Sequence, residues 1–153
     1  MHSRTSKVLL AFLAVAILWG CSQSDTPTLP DADFVVAQGT TVLLRFGESV
    51  GIQTPSAIVI VQMSDVLQDS RCPATTTCVE AGHVTVRLGI QTAFSVQEVE
   101  VQVPPEGDVQ VVVEEITLDI NGVLPDAQEG VTIDLLDYEI VFSALQTTEI
   151  GTL

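Results

Sequence analysis

The chain has 153 residues, 46% of them hydrophobic and only 5% aromatic, and it sets twenty Asp and Glu against five Lys and Arg, for a formal charge of −15. Without a lysine or arginine cluster there is nothing to grip phosphates, which excludes nucleic acid and anionic lipid headgroups as directly docked partners.

The first twenty residues read as a secretory signal. His2, Arg4 and Lys7 form a positive start, Val8 to Trp19 is an unbroken apolar run, and Gly20 precedes Cys21. The run is too short for a membrane-spanning helix, which needs about 20 residues. Leu18-Trp19-Gly20-Cys21 resembles the bacterial lipobox. That resemblance implies that Cys21 carries diacyl and palmitoyl chains and becomes the mature N-terminus, anchoring the protein to the cell envelope. Ordinary cleavage leaving a free cysteine is the other reading. Ser22 stands where an aspartate would signal inner-membrane retention, so by resemblance to Gram-negative sorting rules the outer membrane is expected. The remaining 133 residues suit one domain and keep three arginines, no lysine and all twenty acids, a side-chain charge of −17.

Residues 22–33 are polar, with Pro27 and Pro30 and no apolar periodicity, and are expected to be a flexible tether reaching about 40 Å when extended. A single domain is expected over 34–153. From Phe34 onward Val, Ile and Thr dominate and helical periodicity is absent. Phe34 to Ala37, Thr41 to Phe46 and Glu48 to Gln53 read as short strands, with Thr54-Pro55-Ser56 a turn. Ala57 to Met63 is apolar on both faces and reads as a central strand. Ser64 to Cys78 reads as the longest irregular segment.

Cys72 and Cys78 bracket five residues in a chain bound for an oxidising compartment, which predicts a disulfide. Closing so small a ring contributes about 2–2.5 kcal/mol in the chain-entropy picture, so it shapes a loop more than it holds a domain. His83 to Ile90 alternates cleanly, with Val84, Val86, Leu88 and Ile90 facing in. Inward parity then slips by one residue in three places: within Phe94 to Val103, between Val113 and Ile116, and between Leu135 and Tyr138. Such slips predict β-bulges or corners. Asn121 to Gly130 reads as a connecting loop. The fold expected from seven to nine such strands is an all-β antiparallel β-sandwich, immunoglobulin-like in architecture, with a small β-barrel as the alternative.

Asp69-Ser70-Arg71-Cys72-Pro73, then Cys78, then Ala81-Gly82 heading a strand, resembles a family of uncharacterised bacterial secreted proteins and lipoproteins. Gly47-Glu48-Ser49-Val50 and Tyr138-Glu139-Ile140 stand where that family has its upstream and C-terminal strands. Glu80 departs from the family's tryptophan. The resemblance implies envelope location and a β fold, and brings no activity with it.

Candidate chemistry is sparse. Gly47-Glu48-Ser49-Val50-Gly51 matches a nucleophile-elbow pattern, but Ile52-Gln53-Thr54-Pro55 cannot open the helix that the motif requires, which leaves a serine hydrolase at Ser49 a remote alternative. Cysteine–histidine catalysis through Cys72 or Cys78 with His83 needs a free thiolate, which oxidation removes, and the same oxidation leaves zinc short of ligands. Arg71, His83 and Arg87 are the candidate ligand contacts, although Asp69 or Glu80 would pair with Arg71 most simply. Asp119, Asn121, Asp126 and Glu129 offer hard oxygen ligands for calcium without EF-hand spacing, and Asn121-Gly122 is equally an ordinary hairpin turn pair. The function expected is a non-enzymatic binding or structural module of the envelope with a protein or glycan partner. A calcium-dependent adhesion or matrix module is the alternative.

Overall fold

The computed structural model describes residues 28–114 and 116–146; the expected signal segment and the expected lipidation site Cys21 lie outside the described residues. Nine strands form two facing sheets: β1 (Phe34–Ala37), β2 (Thr41–Arg45), β3 (Ser49–Gln53), β4 (Ile58–Asp69), β5 (Val84–Gln91), β6 (Val96–Val103), β7 (Val109–Val113), β8 (Ile116–Leu124) and β9 (Glu139–Gln146). The first sheet runs β1-β3-β4-β5-β6 and the second β2-β9-β8-β7, neither closing on itself. The architecture is therefore the expected β-sandwich, and the barrel alternative falls. All pairings are antiparallel except β1 with β3. The immunoglobulin likeness is one of layers: neighbours within each sheet are mostly successive strands, as in a meander, with an N-terminal strand added at one edge of each.

The layers form because alternate residues are apolar and their inward faces meet in one core. Val84, Val86, Leu88 and Ile90 of β5 are at most 1% exposed, as their alternation predicts, and they share that core with Leu118, Ile120, Ile140 and Phe142 of the opposite sheet. Strand β4 is central, as expected, but runs six residues past Met63. Two register shifts, between Met63 and Asp65 and between Val66 and Gln68, break its alternation and hide it from a period-two reading.

The three parity slips are not bulges. Phe94 belongs to the turn between β5 and β6, where Thr92 caps the backbone of Phe94 and Ser95, and β5 pairs with β6 without a shift. Val113 lies directly opposite Ile116, so the second slip is a two-residue hairpin whose first residue, Glu114, has φ 48°. The third is a short 3-10 turn, Leu135–Asp137, capped by the Asp134 carboxylate on the Leu136 amide. A true bulge lies where a loop was expected: β8 continues to Leu124 with a register shift between Ile120 and Gly122. Asn121 and Gly122 sit within it, and neither takes the positive φ of a type I′ hairpin turn.

The expected flexible tether also needs correction, because its last part is docked. Leu29 packs over Gly89, where a Cβ would stand 2.9 Å from its Cδ2, and its amide donates to Gln91 Oε1. Ala32 packs over Gly51 in the same way, at 3.2 Å. Asp33 then accepts hydrogen bonds from the Ser49 amide (2.8 Å) and hydroxyl (3.1 Å). Residues 29–33 thus form a strap across the outer face of the first sheet, from β5 to β3, before turning into β1. Two glycines in the strands beneath leave the groove that it fills.

Candidate functional site

The Asp69-to-Gly82 signature forms the closed end of the β4–β5 hairpin. Backbone pairing continues past both strands, with Ser70 N–H on His83 O and Cys72 N–H on Ala81 O, each at 2.9 Å. The Ser70 hydroxyl adds a bond to His83 O. Gly82 has φ +70°, and a Cβ there would come within 1.9 Å of Ser70 O. No other residue fits that crossing. Cys72 and Cys78 form the predicted disulfide and close the loop between them.

Directly before this loop, Arg71 and Asp69 form a clamp between the two sheets. Asp69 Oδ1 accepts from Arg71 Nε (3.1 Å) and from the Arg71 amide, and Oδ2 accepts from Arg71 Nη2 (2.7 Å) and the Tyr138 hydroxyl (2.9 Å). Arg71 Nη1 reaches across to donate to Val123 O at 2.6 Å. The Arg71 side chain is only 6% exposed and that of Asp69 16%. Burial pushes the Asp69 carboxyl up, but bonds from the Arg71 side chain and amide, the Tyr138 hydroxyl and the guanidinium charge outweigh it and hold the pKa below the usual aspartate value. Tyr138 is pushed up to about 12, first by burial and then by its bond to Asp69 and that carboxylate's charge. Of the two pairings expected for Arg71, Asp69 is the one formed.

Beside the clamp opens a cleft of about 810 Å³, bounded by the disulfide loop, the Pro104-Pro105-Glu106 connection of β6 to β7, and the end of β8. Its walls are mixed, apolar from Pro73, Val103, Pro104, Val123 and Leu124 and polar from Thr76, Asn121 and Asp126, with Arg71 among the residues that line it. A shallower hollow of about 310 Å³ lies against Asp69, Arg71, Ile133 and Tyr138. The larger volume falls within the range of ligand pockets, roughly 300–1,000 Å³.

The other sequence candidates are dispersed. Arg87 lies on the outer face of the first sheet among Asp65 (3.5 Å), Glu98 (4.0 Å) and Glu100 (3.0 Å). His83 stands just ahead of β5, its backbone engaged with Ser70. Only Arg71 of the three reaches the cleft. Ser49 is 1% exposed inside β3, its hydroxyl bonded to Asp31 O and Asp33. Among the calcium candidates, Asn121 donates to Asp108 (3.0 Å), Glu129 accepts from Thr76 (3.2 Å), and Asp119 sits within β8, paired with Gln110 and Ser143. Among the described residues no three His, Cys, Asp or Glu side chains gather as a metal site.

Sequence reasoning missed the contributions of Tyr138, Val123 and the two prolines. The chain's single tyrosine carried a usable signal, since a buried phenol needs a partner. Comparison of the chain with family models, curated proteins and solved structures finds no match.

Proposed function

We propose that this chain is an exported, lipid-anchored envelope protein whose sandwich serves as a non-enzymatic binding module, with the cleft beside the Asp69–Arg71 clamp as its binding site. The observation that carries the reading is a pre-formed cleft of mixed lining with a desolvated, fully oriented guanidinium at its margin. Preorganisation of this kind lowers the cost of ordering on binding. The lipobox-like Leu18-Trp19-Gly20-Cys21 supports the anchor. The Asp69-Ser70-Arg71-Cys72-Pro73 resemblance supports membership of the secreted family.

Two experiments test the two halves. Cells fed an alkynyl palmitate should label the protein, and Cys21→Ala should abolish the label and release the protein from the membrane fraction. Label persisting in Cys21→Ala would sink the anchor. For the site, amide NMR of the exported, oxidised protein against a fragment library should give shifts clustered at residues 71–82, 103–106 and 121–127. Ala127→Trp, which fills the cleft, should remove them; shifts scattered elsewhere, or none, would sink the binding reading.

A further inference from the structure

The cleft's surroundings are unevenly charged. Glu106 and Asp126 line it, and neither makes a side-chain hydrogen bond or ion pair within the described residues. Two more carboxylates adjoin it through neutral partners: Asp108 holds the Asn121 amide and Glu129 holds the Thr76 hydroxyl. Nothing nearby neutralises them. The described residues contain three basic side chains other than histidine, and each is committed: Arg45 to Glu139, Arg87 to Asp65, Glu98 and Glu100, and Arg71 to Asp69. These carboxylates do not converge as a metal site. They sit around a cleft whose walls mix apolar and polar side chains, a setting that suits a ligand carrying cations on a partly apolar body.

Resting on the reading of the cleft as a binding site, we infer that its occupant is an extended basic peptide segment of a partner protein, in which apolar residues alternate with lysine or arginine. The apolar side chains pack on Pro73, Pro104 and Leu124. The cations meet Glu106 and Asp126 at the mouth. A volume of about 810 Å³ accommodates several residues of extended chain. An anionic segment is disfavoured both by this rim and by the field of a mature chain carrying twenty acids and three arginines.

The test uses the exported, oxidised protein at physiological ionic strength with three fluorescein-labelled heptapeptides, valine alternating with lysine, serine or glutamate. Anisotropy measures affinity, and amide NMR locates the site. The lysine peptide should bind and shift cleft amides. Glu106→Gln with Asp126→Asn should weaken it about tenfold, the worth of two partly exposed ion pairs. Glu98→Gln with Glu100→Gln, an equal charge change on the outer face of the first sheet, should leave it within about twofold of the parent. Equal weakening by both double variants would mean attraction to net charge alone and would overturn the inference. Tighter binding of the serine or glutamate peptide in the cleft would overturn the basic class while leaving the binding site intact. No shift from any peptide would overturn both.

Discussion

Four donor groups, three from Arg71 and one from Tyr138, converge on the Asp69 carboxylate, and the consequences can be read one residue at a time. Arg71→Ala leaves a desolvated anion without its counter-charge and should cost about 3 kcal/mol or more in chemical denaturation. Arg71→Lys should recover little of it, because an ammonium cannot hold both carboxylate oxygens and Val123 O at once. The pH dependence has a definite sign. The folded pKa of Asp69 lies below its unfolded value of about 3.9, so its stabilisation is complete above that pH and is lost as pH falls through the folded value. The stability gap between the parent and Asp69→Asn should therefore close below about pH 4; a gap constant from pH 7 to pH 2 would contradict the clamp. Tyr138 is the only tyrosine, so absorbance at alkaline pH reports it directly. It should ionise near pH 12 in the folded protein, and earlier in Asp69→Asn.

At the scale of elements, the strap makes the boundary between tether and domain measurable. Removing residues 22–28 should leave stability within about 0.5 kcal/mol, as for a surface change. Removing 22–33 should cost about 3 kcal/mol, because it uncovers Gly51 and Gly89 and strips the buried Ser49 of its partners. Equal melting temperatures for the two truncations would refute the docking. How much of the fold was legible in the sequence also turns on elements. Strand β5 was readable because its alternation is unbroken. The hairpin at Glu114 and the bulge at Asn121 were exchanged, for a physical reason. A two-residue turn and a one-residue bulge both separate successive inward residues by three, as Val113 to Ile116 and Ile120 to Val123 illustrate. Turn chemistry then favoured Asn121-Gly122, while the ladder with β9 selected the other site. In the candidate site, the cysteine segment was legible because its residues are adjacent in the chain. The partners Tyr138 and Val123 lie more than fifty residues away and were not.

Over the whole molecule, charge is the dominant asymmetry. Beyond residue 20 the chain has no lysine to offset its twenty carboxylates, so self-repulsion opposes compaction at low salt. Raising NaCl from about 10 mM to about 1 M shortens the screening length from roughly 30 Å to 3 Å and should raise the melting temperature by several degrees. A melting temperature indifferent to salt would mean that local pairing already balances the field. The edge strand β6 turns Glu98 and Glu100 toward solvent, and such charges oppose edge-to-edge association with other chains.

The strap gives the molecule a top and a bottom. Leu29 lies against Gly89 and Gln91, at the end of β5 remote from the disulfide loop. About 17 Å of strand separates Gly89 from Val84, beyond which the cleft opens. Tension from the proposed lipid at Cys21 would enter the described fold near this point, at most about 28 Å of chain away over eight residue steps. Such tension would reach the strap before it reached the clamp.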